Sequence, residues 1–503
     1  MKRGIALVIP WNTRPWLRTF FGESVTVILI VVFLLFTASK MIESPAYLAA
    51  LAMLVTAISI MIIDLRTALF LFLIFLFSYE EFNLSSTAAF KQLGSTTSVV
   101  AVQVFGLTLM DVSIAVFVLA LAIREMYESR KRGYWKILPL DLYFLPLLVL
   151  WLFAAITGLF HFLKWSNYTW ELKDLGYVVA FYFLASRIFR RPRDYTRIVI
   201  MFLVIIFSKS IFFIIRYNMG GGLFSGYEYR RLFMGSDIPF VAMGLLIWVG
   251  TYFIYRTDSR RLRFAMLALT GYFTVLVVAS LGRATMVLSS VTLIVIFVLF
   301  RKEVGIRTVI TALVFLVSGI LVFYNFILSE GNRELIAYVL QSSFNWFDAV
   351  VLYSDMSIGQ RVLSAINIWE TLSREGAWLW GLGWGAPWYE IAIKHPLDMS
   401  SFGLMEQFTG VHTSAHFDPV HFLLKVGILG VLVIYGTFFR FWRKGILLVK
   451  QQVKRIDTWT VLAYFIMFSV IMFNFMYYTR LKFLMGLTFA AFAVYDARTP
   501  RHA

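Results

Sequence analysis

The chain has 503 residues, of which 60% are hydrophobic and only 15% are charged, and its formal net charge is +18. Soluble domains carry about 25% charged residues, so this composition excludes an ordinary soluble enzyme and predicts that most of the chain is a bundle of membrane helices. The basic residues stand in clusters between apolar runs, which favours cytoplasmic anchors against anionic lipid over nucleic acid as a partner. The absence of cysteine excludes disulfides.

Apolar runs of about 17–25 residues predict about fourteen membrane spans. In chain order they are expected near residues 24–39, 47–63, 67–79, 104–123, 140–160, 175–189, 198–217, 238–255, 264–280, 285–300, 308–328, 419–439, 461–478 and 483–495. The runs at 67–79, 175–189 and 483–495 are weak, which leaves re-entrant or tilted helices open at these places. Residues 1–18 are basic and contain prolines, so we expect no cleavable signal peptide there.

Clusters of Lys and Arg in short loops predict the orientation of the bundle. They stand at residues 124–136, 187–197, 256–263, 301–307 and 440–455. With about fourteen spans, all of these clusters fall on one side together with both termini. That side is predicted to be the cytoplasm.

One long polar segment, residues 329–418, interrupts the apolar pattern. Joining two helices takes far fewer residues, so we expect a large functional loop on the outer side. It holds four basic and ten acidic residues, a net charge of −6 with neutral histidines. Three of the six histidines of the chain, His412, His416 and His421, stand at or just beyond its end. The predicted organisation is membrane spans at 1–328, this loop at 329–418, and further spans at 419–503.

Arginines on the predicted outer side oppose the positive-inside trend, and each needs an explanation. Arg283 lies in a tight turn between two spans, and Arg230 and Arg231 lie in a glycine-rich loop before the span at 238–255. A guanidinium at membrane depth is costly unless it is paired, and its planar fork suits phosphate oxygens. A snorkelling arginine and a solvated flexible loop are the structural alternatives.

Within the long loop, residues 357–372 predict an amphipathic helix with Arg361 in its first turn. Its apolar face is expected to comprise Val362, Ala365, Ile366 and Trp369. The helix dipole favours an anion in the first turn, so a cation such as Arg361 is unfavourable there by itself. The same position suits a cation that recruits an anion to the helix start. Residues 378–388, including Trp384, then interleave Trp with Gly. This run favours a membrane-interface belt, with sugars stacked on the Trp faces as the alternative.

The histidines allow three interpretations. His412 and His416 are four residues apart, so a helix would place them on one face, where they could bind a metal. The acid that a zinc helix motif needs is missing, and Pro419 makes a continuous helix doubtful, so we expect no metal ion. A histidine at the membrane surface can instead act as a general base, because imidazole titrates near neutral pH. Taken singly, each histidine is more often structural.

The order of these elements is similar to that of a known family. The first two elements are a Ser-x-x-Arg turn, here Ser280 and Arg283, and a helix that begins with an arginine, here Arg361. The next two are a Gly-x-Gly, here Gly381 and Gly383, and a His eleven residues before Gly-x-x-Gly, here His416 with Gly427 and Gly430. They resemble the O-antigen ligase and O-antigen or exopolysaccharide polymerase superfamily over about residues 230–430. The loop that contains Arg231 also resembles the family's Arg-containing loop.

The chain departs from the family pattern in places. Phe417 stands where the family often has Asn, and Asp237-Ile-Pro239 replaces the usual Pro-Asn pair. About fourteen predicted spans slightly exceed the number typical of the ligases. These departures fit a polymerase at least as well as a ligase.

The resemblance implies an all-α, polytopic membrane glycosyltransferase, GT-C-like in fold, with an outer-face helical loop. It implies a bacterial cytoplasmic (inner) membrane protein whose active site lies on the periplasmic or extracellular face. The reaction implied is transfer of a glycan from undecaprenyl diphosphate to a saccharide acceptor, with inversion and without a cofactor or metal ion. The acceptor is a lipid-linked repeat for a polymerase and the lipid A core for a ligase. Membrane lipid and other polysaccharide assembly proteins are further expected partners.

The resemblance also implies roles for individual residues. His416 is expected to take the proton from the acceptor hydroxyl, with Arg283 as the second catalytic residue. The other residues divide into a diphosphate-binding set, Arg230, Arg231, Arg283 and Arg361, and an acceptor- or sugar-binding set, His412, His421, Asp418 and Trp384.

A lipid-linked oligosaccharide flippase is the alternative from another class. It needs charged residues inside a central cavity, and Lys209 and Asp111 fall within predicted spans. The long outer loop with its histidines argues against it. Within the enzyme interpretation the acceptor stays open between a lipid-linked repeat, the lipid A core and a protein serine.

Overall fold

The computed structural model describes residues 64–78, 103–104, 107–132, 138, 140–218, 223–224, 230–231, 237–255, 259–280, 283–300, 356–394, 410–415, 417–476 and 478–498. Within these residues the chain forms twelve α-helices and three short antiparallel strand pairs, so a mostly helical fold is confirmed for them. The chain divides into two compact units, Met1–Tyr134 and Trp135–Ala503.

The first unit contains helices α1 (Leu65–Ser78) and α2 (Leu109–Arg132) and the strand pair β1 (Gln103–Val104) and β2 (Leu107–Thr108). Asp64 caps α1, because its carboxylate accepts hydrogen bonds from the backbone N–H groups of Arg66 at 3.1 Å and Thr67 at 3.3 Å. The strand pair occupies the start of the predicted span at 104–123. The helix there therefore begins later than predicted, and it extends beyond the apolar run into charged residues.

The second unit contributes the remaining ten described helices and two strand pairs. The helices are α3 (Asp141–His161), α4 (Trp165–Ile188), α5 (Pro192–Asn218), α6 (Asp237–Tyr255), α7 (Arg260–Ser280), α8 (Arg283–Leu299), α9 (Met356–Glu375), α10 (Asp418–Gln451), α11 (Arg455–Ile471) and α12 (Thr479–Asp496). The strand pairs are β3 (Leu223–Phe224) with β4 (Arg230–Arg231), and β5 (Trp388–Tyr389) with β6 (Val411–His412).

Most predicted spans that fall on described residues correspond to helices, but several further boundaries were wrong. Helix α4 begins ten residues before the predicted 175 because Trp165–Asp174 is a polar but helical start. Helix α10 continues to Gln451, and α11 ends at Ile471 before a non-helical segment. By length and hydropathy, α3, α6 and α10 are the described helices that are long and apolar enough to cross a membrane. The predicted spans at 24–39, 47–63 and 308–328 lie outside the described residues.

Helix α12 lies at the centre of the second unit. All of its residues from Arg480 to Tyr495 are buried, and it packs along α4. A Cβ on Gly486 would lie 2.6 Å from the carbonyl oxygen of Val178 in α4, so glycine permits this close approach. Because α12 has no solvent-facing side, its charged residues must find partners inside the protein.

A break in α10 receives the glycine-rich segment of the long loop. Gly427 has φ +66°, and the carbonyls of Leu424 and Lys425 accept hydrogen bonds from Leu382 and Gly383 N–H, both at 2.8 Å. On the other side, Ile428 N–H donates to the carbonyl of Trp378 at 2.9 Å. In a membrane helix every opened backbone group needs such a substitute. Residues 377–385 therefore pack into the bundle rather than cover it as a free loop.

The helix predicted at 357–372 exists as α9, but its predicted apolar face was wrong. The residues that pack inward are Leu363, Ser364, Asn367, Ile368, Thr371 and Leu372, whereas Ile366 and Trp369 are exposed. Asn367 decides this, because its side-chain oxygen accepts hydrogen bonds from Ala392 N–H at 2.9 Å and Ile393 N–H at 3.1 Å. Helix α9 begins at Met356, so Arg361 lies in its second turn and not its first.

Candidate functional site

The polar residues of the second unit concentrate at one end of the bundle, where α4, α6, α10 and α12 begin. We call it the histidine end, because the described part of the histidine-bearing segment lies there. Seven buried or nearly buried charged residues form its buried charge cluster: Glu171, Asp174, Lys209, Asp237, Lys425, Arg480 and Lys482. Isolated charges in this setting are unfavourable by several kcal/mol each, so their pairing is a structural requirement.

Lys425 joins three parts of the histidine end. Its ammonium group lies 2.8 Å from the carboxylate of Glu171 in α4. It also donates hydrogen bonds to the carbonyls of Ala386 and Thr413, each at 2.7 Å. Glu171 in turn accepts a hydrogen bond from Gly385 N–H at 2.5 Å. Lys425 therefore holds the start of α10, the glycine-rich segment and the residues that lead into His416.

The first turn of α12 carries Arg480 and Lys482, both buried. Cations in a first turn oppose the helix dipole, so each must be held by an acid. Lys482 forms an ion pair with Asp174 of α4, and Arg480 lies 3.1 Å from Asp237 of α6. Neither Arg480 nor Lys482 was among the residues predicted for the site. The signal was available, because they lie between the last two predicted spans, on the predicted outer side, and oppose the positive-inside trend as Arg283 does.

Asp237, the first residue of α6, accepts from two cations. Lys209 of α5 lies 2.7 Å from its carboxylate and Arg480 lies 3.1 Å from the same oxygen. The Arg480 guanidinium also lies over the ring of Phe240, 5.1 Å from its centroid. Two cations and one carboxylate give this triad a formal charge of +1. It fixes positive charge at the point where α5, α6 and α12 meet.

His412 is buried in the strand pair β5–β6. Its Nε2 atom lies 2.8 Å from a carboxylate oxygen of Glu390, and its ring stacks on Trp388 with the centroids 4.3 Å apart. Val411–His412 is a strand, so His412 does not lie on the helix that a metal site shared with His416 would need, in line with the doubt about a continuous helix there. The ring faces packing partners, so His412 orients the segment 411–415 instead of presenting a face to a sugar.

Asp418 and His421 anchor the start of α10. The carboxylate of Asp418 accepts hydrogen bonds from the N–H groups of Phe475 at 2.6 Å and Met476 at 3.1 Å. His421 lies nearby, with Nδ1 3.5 Å from Ala415 N–H. Both side chains are buried. The chain on either side of position 416 is therefore held to α10 and to the link between α11 and α12.

Trp384 is fully buried, and its indole N–H donates to the carbonyl of Trp151 at 3.3 Å. No ring face is exposed for a sugar, which differs from the sequence-based expectation. The neighbouring glycines explain this: Gly383 has φ +83°, and a Cβ on Gly381, which has φ +71°, would lie 2.5 Å from the backbone of α10. Trp369 and Trp380 do remain exposed, which suits a membrane-interface belt.

The other predicted site residues are described only in part. Arg283 begins α8, which packs on α6 and α11, and Arg230 with Arg231 forms β4, but the side chains of these three lie outside the described residues. His416 also lies outside them. Arg361 is half-buried on α9. The structure thus gathers His412, His421 and Asp418 around the segment that contains position 416, and it gives no distance from them to the arginines.

The described ranges contain no group of three or more His, Asp or Glu side chains arranged to hold a metal ion. What the histidine end does offer is fixed charge of both signs beside a polar segment. Preorganised charges of this kind stabilise charge that develops during a reaction, because they need not reorient.

Comparison with protein-family models gives no match for this chain, and comparison with curated proteins gives none either. A functional interpretation therefore depends on the residues themselves.

Proposed function

We propose that this chain is a membrane glycosyltransferase that transfers a glycan from undecaprenyl diphosphate to a saccharide acceptor at the histidine end. A polymerase that uses a second lipid-linked repeat is our first choice, and a ligase that uses the lipid A core is the alternative. The observation that supports the proposal is the buried charge cluster, whose Lys425 is hydrogen-bonded to the segment leading into His416. The resemblance to the O-antigen ligase and polymerase superfamily supports it independently.

In the proposed reaction, the acceptor hydroxyl oxygen attacks the anomeric carbon from the face opposite the diphosphate. The bond from that carbon to the diphosphate oxygen breaks, and its electron pair leaves with the diphosphate. The hydroxyl proton passes to His416, which acts as general base. Negative charge grows on the leaving diphosphate. Arginines suit this charge because one guanidinium can donate hydrogen bonds to two phosphate oxygens at once.

We keep Arg230, Arg231, Arg283 and Arg361 as the diphosphate-binding set, and we change the roles of the residues around His416. His412, Asp418 and Trp384 are buried and engaged with protein atoms. We therefore propose that they position the loop, and that Lys425 and Glu390 do so with them. Arg480, with Lys209 and Asp237, is proposed to add a fixed positive field behind the leaving group.

A flippase remains the second candidate, but the positions of its supporting residues weaken it. Lys209 pairs with Asp237, which is the first residue of α6, and Asp111 lies in the first turn of α2. A transport pathway would favour charges midway along the helices, facing a cavity. Within the second unit, the Lys209–Asp237 pair lies at the histidine end, which fits a site at one membrane face better.

The test is reconstitution of the purified chain in liposomes with an undecaprenyl-diphosphate-linked oligosaccharide, with and without lipid A core. Lengthening of the lipid-linked glycan identifies a polymerase, and transfer to the core alone identifies a ligase. Movement of the donor across the bilayer without any transfer would contradict the proposal in favour of the flippase. We expect turnover to persist in a chelator; turnover that is lost there and restored by a divalent ion would contradict the metal-independent mechanism.

A further inference from the structure

The end of the second unit opposite the histidine end carries a concave basic site. Its volume is about 710 Å³, and its lining includes Arg191, Arg193, Arg197, Lys454, Arg498 and Asp457. We call it the basic pocket. Five cations and one carboxylate give it a formal charge of +4. These residues come from the start of α5, the start of α11 and the chain after α12, so the fold assembles the site from separate segments.

The walls of the basic pocket are held in place by direct contacts. The hydroxyl oxygens of Thr196 in α5 and Thr460 in α11 lie 2.9 Å apart, which sets the distance between these helices. The Arg498 guanidinium donates a hydrogen bond to the carbonyl of Arg190 at 3.0 Å. The pocket is therefore a defined concavity and not only a charged stretch of surface.

An exposed apolar stripe continues from the pocket along the same face of α5. Arg193 and Arg197 are followed at spacings of three and four by exposed residues, which places all of them on one face. The apolar members are Ile200, Val204, Phe207 and Ile211, with exposed fractions of 49%, 58%, 38% and 41%. From Ile200 to Ile211 the helix rises about 16 Å, which matches half of the roughly 30 Å hydrocarbon core of a bilayer.

The other side of the pocket repeats this combination. Val453 is 97% exposed and Ile456 is 44% exposed, and they flank Lys454 in the chain. Apolar side chains exposed directly beside cations suit the boundary between headgroups and acyl chains. A free phosphate compound would use the cations but would leave both apolar surfaces uncovered.

We propose that the basic pocket binds the phosphate headgroup of an anionic phospholipid, with an acyl chain along the Ile200–Ile211 stripe of α5. The site is separate from the buried charge cluster and does not depend on the proposed function. Charge selects phosphatidylglycerol or cardiolipin over zwitterionic phosphatidylcholine, because the pocket offers a net positive field to a headgroup that carries net negative charge.

The test is titration of the purified full chain, in phosphatidylcholine nanodiscs, with phosphatidylglycerol and with cardiolipin. The variant is Arg193→Gln/Arg197→Gln. The matched control is Arg260→Gln/Arg261→Gln, which removes the same charge from exposed positions at the start of α7. Near an anionic surface each arginine contributes about a factor of five, so we expect binding to weaken about 30-fold in the first pair and less than 3-fold in the control. Equal weakening in both pairs would mean diffuse surface charge and overturn the proposal.

A second arm distinguishes a lipid from a free phosphate. Ile200→Ala/Val204→Ala should weaken binding of the diacyl lipid and leave the weak binding of glycerol phosphate unchanged. Inorganic phosphate or glycerol phosphate that binds as tightly as the lipid and displaces it would overturn the assignment to a lipid. All three double variants change exposed side chains, and an unchanged melting temperature without added lipid confirms that each is folded.

Discussion

The two ends of the second unit use similar charged side chains in opposite ways. At the histidine end, Lys425, Lys482 and Arg480 are buried, and each lies against a carboxylate of another helix. At the other end, the five cations of the basic pocket are exposed, and only one carboxylate lines the pocket with them. The charges nearly balance at the histidine end, whereas the basic pocket has a strongly positive net charge.

This difference teaches what each end can do. Buried ion pairs are costly to assemble but hold their geometry, because neither water nor salt competes for them. Exposed cations stay hydrated and are screened, so they can exchange one mobile anion for another. The histidine end is suited to a reaction whose charges must be opposed at fixed places, and the basic pocket is suited to reversible binding of a charged lipid.

The largest expected effect comes from Lys425→Ala. The substitution leaves Glu171 buried without its cation and releases two carbonyls, so we expect a loss of about 3–5 kcal/mol in the free energy of unfolding. Thermal unfolding in detergent measures it. Lys450→Ala, at an exposed position of the same helix, is the control and should change stability by less than about 0.5 kcal/mol. Similar melting of the two variants would remove the contrast between buried and exposed cations.

The next effect tests the packed glycine segment of the histidine end. Gly427→Ala should cost more than about 2 kcal/mol, because its backbone conformation, φ +66° with ψ −174°, costs a non-glycine residue about 1–3 kcal/mol and the new Cβ would also clash with the backbone of Leu379. Gly376 has φ +63° but nothing within 4 Å, so Gly376→Ala should show only the conformational cost. Gly436→Ala in α10 has neither problem and should stabilise slightly. The ranking of the three melting temperatures checks the contact between α10 and residues 377–385.

A smaller effect is expected for Glu390→Gln. The amide keeps a hydrogen bond to His412 but loses the charge, so stability should fall by no more than about 1.5 kcal/mol. Turnover should fall more than the acceptor KM rises, because the pair positions the segment that leads into His416 and does not bind sugar. Glu375→Gln, at an exposed position of α9, is the control. A rise in acceptor KM with unchanged kcat would instead mean direct sugar binding.

The smallest effect concerns stability at the basic end. Arg193→Gln/Arg197→Gln should change the free energy of unfolding by less than about 0.5 kcal/mol in detergent without lipid, because both side chains are exposed.

Raising the salt concentration should leave the Lys425→Ala defect in place, since buried pairs are poorly screened. A large salt-dependent loss in the double variant would show that these arginines take part in folding.

The helices were predictable, because apolar runs of span length and polar breaks determine where they form. The packing of polar residues was not. Lys482 and Asp174 are 308 residues apart in the chain, so no local pattern pairs them. In α9 the hydrophobic pattern selected the wrong face, because Asn367 packs inward to bind the backbone of 392–393 while Trp369 stays exposed.

The candidate site, like the fold, was only partly predictable from the sequence. The described part of the histidine-bearing segment lies at the end of the bundle where buried charges gather, but no sequence pattern predicted that cluster. The glycines between the Trp residues allowed a sugar-binding surface as the alternative to a membrane-interface belt. Their N–H groups are used within the protein instead, because Gly381 donates to the carbonyl of Ala377, Gly383 to the carbonyl of Lys425 in α10, and Gly385 to the carboxylate of Glu171 in α4. Three-dimensional partners decide such cases, and a glycine at a positive φ looks the same in sequence whether a ligand or a helix lies against it.

The most direct test is the single-turnover rate of glycan transfer in proteoliposomes for the wild type, His416→Ala and His161→Ala. His161 is an exposed histidine at the last residue of α3, at the same end of the bundle, and is the matched control. General base catalysis contributes about 10²–10⁴-fold, so we expect His416→Ala to lose at least about 100-fold while keeping the wild-type melting temperature. His161→Ala should retain the wild-type rate. Transfer by His416→Ala at the wild-type rate would contradict a reaction centred on the histidine end.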